Sequence, residues 1–365
     1  MRNNWQRLSL GWVVFGLLSQ VSFAQESEVG VSVPFTLSGQ VMKTHRLQSE
    51  DPGSSTSMAG FRAMFYPSVK LGSHWFGYAA LQVRSEPYFL EEAYSADREV
   101  EAQALQAFVG YTRSGDFKSF LIKAGQLSSA FGSFLPRYDD AANPLIDLPQ
   151  GYGYYYKPVS FSPVTGVEVD ASLSRLDARF QVVNSSPMNP QGVRSSDQHL
   201  QWAGGAGYTI RQGFRIGVSA YRGAFMRQSS RFLSVGDRSE DYPATGLGAD
   251  LQWASGRWSF NGEWQHFDFP YPRLATLVVQ QGYGEAKIVL TPRFYAAVRA
   301  GYQNYTYLAS DRQNYDFVVG YRPNRFQLVK VGYQWLKDRS VAGTYDDVWA
   351  VQYVTSIDVL RKSFR

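Results

Sequence analysis

Apolar and polar side chains alternate along most of this sequence, and that period of two strongly limits the possible folds. On segment 105–112, one face of an extended chain carries Leu105, Ala107, Val109 and Tyr111. The opposite face carries Gln106, Phe108, Gly110 and Thr112. Such alternation is typical of β-strands with two different surroundings, not of helices. The sequence therefore predicts an all-β protein.

Sixteen segments show this alternation, and each is predicted to be one strand. They are 34–45, 57–67, 74–85, 103–113, 117–128, 163–173, 175–185, 199–210, 213–223, 244–254, 257–267, 278–290, 293–304, 313–322, 325–337 and 346–358.

The connections between these segments alternate in length. Short ones such as RSGD, RQG, ASGR, TPR and PNR fill every second gap, and long ones fill the others. Greek-key sandwiches mix loop lengths, whereas an up-and-down antiparallel barrel has one rim of tight turns and one rim of long loops. Sixteen strands with both chain ends on the tight-turn rim require seven turns and eight loops, which is the number found.

Aromatic residues flank several short turns, and aromatics make up 16% of the chain. The predicted ring of such residues contains Tyr111, Phe117, Tyr208, Phe214, Trp253, Trp258, Tyr321 and Phe326. Residues that flank a hairpin turn point to the same side of the sheet. Trp and Tyr are enriched at membrane–water interfaces, so these rings are predicted to form a girdle on the periplasmic side. The alternative is that they fill the core of a soluble protein.

A membrane-spanning sheet must close on itself, because lipid offers no hydrogen bonds to an open edge. The sequence therefore predicts a transmembrane antiparallel up-and-down β-barrel of about sixteen strands with an aqueous lumen. Further aromatic residues are assigned to its wall or to an opposite girdle: Tyr283, Tyr302, Tyr333 and Trp349.

The amino terminus has the pattern of a secretory signal peptide. Arg2 and Arg7 precede the apolar run 8–18, and Ser22 and Ala24 fit a cleavage site after residue 24. Residues 1–24 are thus predicted to be removed, which leaves a barrel domain of 25–365. A membrane-anchoring helix is the alternative, but the run is only about half the required length.

Composition excludes several kinds of partner. The net charge of +5 falls to +3 without Arg2 and Arg7, which is too weak a positive charge to predict nucleic-acid binding. With no cysteine, the chain has no disulfide, thiolate metal site or lipoprotein anchor.

The strand pattern assigns many charged side chains to the lumen. The basic ones are Arg62, Arg84, Lys123, Arg179, Arg215, Lys287, Arg299, Arg322 and Lys330. The acidic ones are Glu168, Asp170, Asp177, Asp250, Glu263, Glu285 and Asp316. Arg62, Arg84, Lys123, Arg179, Arg215 and Arg299 are predicted to form the basic pore wall, with weak ion preference overall. Alternatively, the charges simply pair with one another.

The longest connection, 128–163, carries five prolines and several acids. Its composition favours a packed loop. Folded into the barrel, it is predicted to constrict the pore through Arg137, Asp139, Asp140 and Asp147, with its carboxylates facing the basic wall. A plain extracellular loop or a subunit contact is the alternative.

A short motif at this loop resembles a known family. AGQLSSAFG at 124–132, followed by NPLIDLP at 143–149, is similar to the segment that enters the pore loop in phosphate-selective and related trimeric porins of Gram-negative outer membranes. The matching positions are Gly125, Gln126, Phe131 and Gly132. The resemblance implies a homotrimer among outer-membrane lipid and lipopolysaccharide. The nine scattered lysines differ from the clustered lysines of the phosphate-selective members, so phosphate specificity is not implied.

No sequence motif predicts an enzyme, a metal site or a cofactor. The four histidines His45, His74, His199 and His266 are dispersed, and no nucleophile elbow or phosphate-binding loop is present. A His could still meet a Ser in space. The sequence predicts a passive outer-membrane channel for small hydrophilic solutes or ions; the alternative is a non-conducting barrel that acts as a surface scaffold or adhesin.

Overall fold

The structure, a computed structural model, describes residues 29–44, 57–89, 99–152, 164–184, 199–306, 311–338 and 347–364. The predicted signal peptide lies outside these residues. Seventeen strands form one sheet: β1 (Val29–Thr44), β2 (Ser57–Phe65), β3 (Ser68–Leu71), β4 (Trp75–Ser85), β5 (Val100–Gly115), β6 (Lys118–Leu127), β7 (Val164–Leu173), β8 (Leu176–Val183), β9 (Gln201–Arg211), β10 (Phe214–Ala224), β11 (Pro243–Ser255), β12 (Trp258–Phe269), β13 (Leu277–Val289), β14 (Phe294–Tyr305), β15 (Arg312–Tyr321), β16 (Gln327–Asp338) and β17 (Asp347–Phe364).

Helix is confined to three 3₁₀ turns in the described residues, at Leu135–Arg137, Gln150–Tyr152 and Ser239–Asp241. None of the helices found there has the length and apolar character needed to cross a bilayer.

The sheet closes on itself. Successive strands pair antiparallel, and β1 pairs with β17 from Val29 opposite Phe364 to Thr44 opposite Val348. This last pairing gives the first and final strands a hydrogen-bonding neighbour on each side, as a membrane barrel requires.

Two of the seventeen strands are halves of a single barrel strand. Both β2 and β3 lie between β1 and β4, and Tyr66 and Pro67 separate them. Pro67 has no N–H to donate to a neighbouring strand. Close to it, the pairing of β1 with β17 also shifts register, between Val33 and Pro34. The predicted barrel of sixteen strands is therefore confirmed.

The alternation of short and long connections is also confirmed. The tight-turn rim carries 72–74, 116–117, 174–175, 212–213, 256–257, 290–293 and 322–326. At the other rim lie the strand ends that flank the longer connections: Thr44 and Ser57, Ser85 and Val100, Leu127 and Val164, Val183 and Gln201, Ala224 and Pro243, Phe269 and Leu277, Tyr305 and Arg312, and Asp338 and Asp347. Val29 and Phe364 pair with each other on the tight-turn rim, where Leu71 also pairs with Val29.

The two terminal strands are longer than predicted. β1 begins at Val29 rather than 34, and β17 continues to Phe364 rather than 358. Arg361 and Lys362 interrupt the apolar pattern near the end of β17, so alternation alone suggested an early end. These residues nevertheless pair with Ser32 and Val31.

The outer surface of the barrel is apolar. Val41, Val351, Val331 and Val319 are successive register partners on neighbouring strands and are 58%, 50%, 47% and 36% exposed. Polar neighbours on the same strands, such as Gln352 and Lys330, are fully buried inside. This reverses the usual distribution in a soluble protein and fits a lipid-facing wall.

The predicted direction of Leu105 was wrong. A register shift beside Ala80 and Leu81 leaves Leu105 as the extra residue of a β-bulge, and its side chain is buried in the cluster that holds Phe131 and Phe134. The bulge reverses the alternation upstream of residue 106, a change that the pattern does not reveal.

The other aromatic wall residues divide between the two faces. Tyr302, Tyr333 and Trp349 lie at outward positions, since their neighbours Gln303, Gln334 and Val348 are buried. Tyr283 instead points inward and contacts Arg137, so its assignment to the outer wall or to an opposite girdle was wrong.

The eight predicted girdle residues lie next to tight turns. Phe117, Trp258, Phe326 and Tyr208 are exposed on the outer surface, and Phe214 is the register partner of Trp253. Tyr111 packs edge-on against Trp75 with centroids 5.1 Å apart, and Tyr321 stacks on Phe294 at 4.7 Å. Their role at a membrane interface stays a prediction.

A charge on the lipid-facing wall should destabilise the barrel. Val331→Arg places a guanidinium at the centre of the valine row, and we expect it to lower the free energy of unfolding in lipid vesicles by about 2–4 kcal/mol. Denaturant titration of the refolded protein measures this change. Gln212→Arg, at an exposed tight turn, is the matched control and should cost little. Equal stability of the two variants would contradict a lipid-facing Val331.

Candidate functional site in the barrel lumen

The long connection after β6 folds into the barrel. It is described from Ser128 to Tyr152, and we call these residues the inserted loop. Most of the loop is buried, and its hydrogen bonds reach wall residues on β1, β2, β4, β8, β10, β12, β13, β14 and β16. The loop therefore crosses the lumen rather than extending from the rim.

The motif at the start of the loop has a structural explanation. Gly125 has φ 140°, and a Cβ there would lie 2.4 Å from the Ala107 carbonyl oxygen. Gly132 has φ 79°, and a Cβ would lie 2.1 Å from the Tyr152 hydroxyl. Gln126 donates to the Ala104 carbonyl at 2.9 Å, and the Phe131 ring lies 5.0 Å from that of Phe267. The motif thus turns the chain inward and fastens it.

Asp139 and Asp140 meet the wall directly. Asp140 lies 3.3 Å from the Arg62 guanidinium and accepts hydrogen bonds from Ser38 at 2.7 Å and Tyr88 at 2.8 Å. Asp139 accepts a hydrogen bond from the Tyr66 hydroxyl. Because the Arg62 and Asp140 side chains are almost completely buried, this is a contact pair and not two charges facing each other across open space.

Lys330 anchors the loop through its backbone. Its ammonium donates hydrogen bonds to three backbone carbonyls, those of Asp140 at 2.7 Å, Asn143 at 2.8 Å and Leu145 at 2.9 Å. The sequence assigned Lys330 to the lumen but did not single it out. No local signal could do so, because its partners lie about half the chain away.

Arg299 anchors the next part of the loop. Its guanidinium donates to the Asp147 carbonyl at 2.9 Å, contacts the Asn143 side chain at 3.3 Å and pairs with Glu285 at 2.8 Å. The Asp147 carboxylate accepts the N–H of Leu148 at 2.8 Å. Arg299 therefore meets the backbone of Asp147, whereas the sequence predicted only that the Asp147 carboxylate faces the basic wall.

Glutamates of β12 and β13 also hold the loop. Arg137 pairs with Glu285 and donates to the Tyr283 hydroxyl at 2.8 Å. Glu263 accepts hydrogen bonds from Tyr152 at 2.6 Å and Ser133 at 2.8 Å. Acids on the wall thus bind polar groups of the loop. This adds to the predicted arrangement, in which acids of the loop face basic residues of the wall.

Apolar packing completes the attachment. Phe131, Phe134 and Tyr152 join an inner cluster with Tyr221 and Phe267 of the wall. Leu145 and Ile146 join a second cluster, whose wall members are Met42, Met58, Tyr295, Ala297, Val318, Leu328, Leu336, Val348, Ala350 and Val354. These contacts leave little freedom for the loop in this conformation.

Arg84 lies apart from these anchors. It pairs with Glu86 at 2.9 Å and with Glu101 at 2.8 Å, both on its own side of the barrel near the long-loop rim. The structure does not bring it to the acids of the loop.

Three of the predicted basic residues, Lys123, Arg179 and Arg215, line a cavity of about 470 Å³ between the inserted loop and strands β3–β11. Lys123 pairs with Glu168 and, at 2.8 Å, with Asp170. Arg215 pairs with Asp177 at 2.5 Å and Asp250 at 2.7 Å. Arg179 donates to the Gly132 carbonyl. Much of this wall thus fits the alternative interpretation, in which the charged side chains of the lumen pair with one another.

Two inward glycines make room for Arg215, and sequence analysis missed them. A Cβ on Gly207 would lie 2.0 Å from a guanidinium nitrogen of Arg215, and one on Gly217 would lie 2.2 Å from Asp250. The guanidinium can therefore lie flat along the wall between its two acids.

One His does meet a Ser in space. The Ser239 hydroxyl lies 2.7 Å from His199 Nε2, and His199 Nδ1 lies 3.2 Å from a Glu240 oxygen. The hydrogen bond with His199 holds the pKa of Glu240 below its ordinary value. The order resembles a nucleophile, a base and an orienting acid. Ser239 is 0% exposed, however, and the contacts tie the start of β9 to the β10–β11 connection.

Within the residues that the structure describes, no group of three potential metal ligands comes together.

Comparison with known proteins identifies the fold. No family model matches the chain, and no curated protein matches it in sequence. Solved structures do match: Salmonella typhi OmpF in complex with daunomycin (13% identity, 90% of this chain and 97% of that one, TM-score 0.60); Pseudomonas putida OprB (11%, 90% and 94%, 0.59); and in-vitro folded OmpT of Vibrio cholerae in its trimer form (9%, 90% and 99%, 0.53). The structural neighbours are Gram-negative outer-membrane proteins that include porins. They do not confirm the predicted resemblance to the phosphate-selective group.

Removing the Lys330 anchor should loosen the loop. Lys330→Met leaves three buried carbonyls without their donor, so we expect the free energy of unfolding to fall by about 1–3 kcal/mol or more. Lys287→Met is the matched control, because Lys287 is an inward lysine that lies over the Tyr295 ring at 4.6 Å and makes no loop contact of this kind. Denaturant titration compares the two variants. Equal losses would contradict the anchoring role.

The buried Ser239 should be unreactive. A fluorophosphonate probe labels an activated, accessible serine, and we expect the folded protein to remain unlabelled. Mass spectrometry of the probe-treated protein measures the result, with Ser239→Ala as the control. Stoichiometric labelling that disappears in Ser239→Ala would instead reveal a reactive serine.

Proposed function

We propose that the protein is an outer-membrane channel for passive diffusion of small hydrophilic solutes or ions. The observation that carries this proposal is the reversed polarity of a closed barrel, with apolar side chains outside and a charged cavity inside. A soluble scaffold has no need of that arrangement. The proposal includes no catalytic step, metal or cofactor.

The proposed location is the outer membrane of a bacterium, among lipid and lipopolysaccharide. Barrels are how proteins of this membrane cross the bilayer, and the structural neighbours are outer-membrane proteins. Export would use the predicted signal peptide, with cleavage after Ala24. Sequencing the amino terminus of the mature protein tests that site.

The proposed route for solutes runs beside the inserted loop. Lys330, Arg299, Arg137 and Arg62 fasten the loop toward one part of the wall. The cavity lies on the other side, against β3–β11. The loop then sets the size limit by its bulk, while paired charges keep ion preference weak.

We also propose a homotrimer. The support is the sequence resemblance to trimeric porins and the fold shared with OmpT of Vibrio cholerae, for which a trimer form is known. Chemical cross-linking in native membranes tests the subunit number.

A non-conducting barrel that acts as a surface scaffold or adhesin is the second candidate. One observation favours it: hydrogen bonds and two apolar clusters fasten the inserted loop across the lumen. In that case the long-loop rim would carry the function and the lumen would stay closed.

Electrical recording separates the two functions. We expect the refolded protein to insert into planar bilayers and to give stepwise, open-pore conductance. Lys330→Met, which loosens the loop, should raise the conductance of each step. Protein that inserts correctly, as judged by protease protection, but remains electrically silent would overturn the channel.

The loop acids should tune ion selectivity. Replacing Asp139 and Asp140 by Asn removes the carboxylate that neutralises Arg62, so we expect reversal potentials in a salt gradient to shift toward anions. Asp116→Asn, at an exposed tight turn, is the control and should leave selectivity unchanged. An unchanged reversal potential in the double variant would show that the charge of these loop acids does not influence ions in the conducting path.

A further inference from the structure

The cavity beside the inserted loop has the size of a small-molecule site. Its volume of about 470 Å³ falls within the usual range of ligand pockets, about 300–1,000 Å³. Charged side chains of β6–β11 line one part of it, and Phe76, Tyr78 and Phe108 with Leu135 and Pro136 of the loop line another; Lys70 of β3 also borders the cavity. Such a division suits a solute that is itself polar at one end and apolar at the other.

The charged part is not evenly neutralised. Lys123 of β6 pairs with two carboxylates of β7, those of Glu168 and Asp170, and Glu168 is its register partner. Arg215 likewise serves Asp177 and Asp250. With one base and two acids, each trio has a net charge of −1. Two sites that favour a cation therefore lie on this wall.

Arg179 lies between these trios and differs from the other two bases. No carboxylate lies within 4.0 Å of it among the described residues, and its hydrogen-bond partner there is the Gly132 carbonyl. Asp170 is its register partner on β7 but pairs with Lys123 instead. A guanidinium has five N–H donors, so Arg179 keeps donors for an anion that enters the cavity.

These charges are close enough for one small molecule to use both signs. Asp170 is opposite Arg179 on the neighbouring strand, where side chains lie about 5 Å apart at Cβ. Asp177 is two residues from Arg179 on β8, on the same face and about 7 Å along the strand. A carboxylate bound to Arg179 thus leaves an adjacent ammonium group within reach of an aspartate.

The apolar part offers a surface for a ring or an alkyl chain. Phe76 packs edge-on against Phe108 at 6.0 Å, and Tyr78 lies 5.3 Å from Phe108. Leu135 and Pro136 of the loop cover the same side of the cavity. The backbones of β5 and β8 are three strand spacings apart, about 14 Å along the wall. The side chains of Phe108 and Arg179 extend from these strands into the cavity, so the distance between their ends is shorter.

We propose that this cavity binds small zwitterions with an apolar body, the chemistry of an aromatic or aliphatic α-amino acid. The carboxylate binds Arg179, the ammonium group binds Asp170 or Asp177, and the side chain lies against Phe76 and Phe108. This inference rests on the proposed channel function only for the role of binding in transport, because the binding itself does not require conduction.

Equilibrium dialysis of the refolded protein tests the proposal with three related probes. L-phenylalanine has both charges, 3-phenylpropionate lacks the ammonium group and 2-phenylethylamine lacks the carboxylate. We expect L-phenylalanine to bind at least about tenfold more tightly than either analogue, because each analogue lacks one of the two hydrogen bonds between charged groups. No binding of L-phenylalanine, or equal binding of all three, would overturn the proposal without any variant.

Variants assign the contacts. Arg179→Gln should weaken L-phenylalanine and 3-phenylpropionate by about tenfold or more and leave 2-phenylethylamine unchanged. The double variant Asp170→Asn with Asp177→Asn should instead weaken the binding of L-phenylalanine and 2-phenylethylamine. Arg175→Gln, at the exposed turn before β8, is the matched control. Identical effects of Arg179→Gln and Arg175→Gln would contradict the assignment.

The same probes distinguish failure of this inference from failure of the channel. A protein that binds L-phenylalanine but never conducts retains the site and refutes the channel. A protein that conducts normally but binds none of the probes retains the channel and refutes the site.

Discussion

Closure of the sheet between β1 and β17 is the constraint on which the rest of the structure depends. An unpaired backbone group costs several kcal/mol in hydrocarbon, so a sheet in lipid has no stable open edge. The terminal strands pair over sixteen residues of β1, from Val29 to Thr44. Closure also separates two environments. Alternate residues of every strand must then suit lipid on one side and a polar interior on the other, which explains the period of two in the sequence.

The lumen of the barrel holds many charged side chains, and most of them are paired. Buried charges are expensive unless they are paired and hydrogen-bonded, and here the inserted loop supplies many of the partners. Arg62 meets Asp140, Arg299 meets the Asp147 backbone, and Lys330 meets three loop carbonyls. Lys123, Arg179 and Arg215 line the cavity against β3–β11. The loop thus divides the lumen into a packed part and an accessible part, and the proposed functions follow from that division.

Local chemistry was enough to predict most of the barrel but not the contacts within it. Strand number, order and rim assignment follow from alternation and from connection lengths, both of which are properties of short segments. The errors arose where a distant pairing overrides the local pattern: the bulge at Leu105, the inward Tyr283, and the ends of β1 and β17. The loop was predicted to enter the barrel, but the sequence could not pair Asp140 with Arg62 or place Lys330 beneath the loop backbone. Those contacts join residues separated by 78 and 190 positions.

The central claim is that alternate residues of closed strands face lipid and a polar lumen. Because the chain has no cysteine, single cysteines along β17 can each carry a unique spin label. Collision rates of these labels with oxygen and with a water-soluble nickel complex, in lipid vesicles, test the claim most directly. We expect a period of two, with oxygen contact high at Val351, Tyr353 and Ile357 and low at Gln352 and Val354. Loss of that period, or high nickel contact at Val351 and Tyr353, would contradict it.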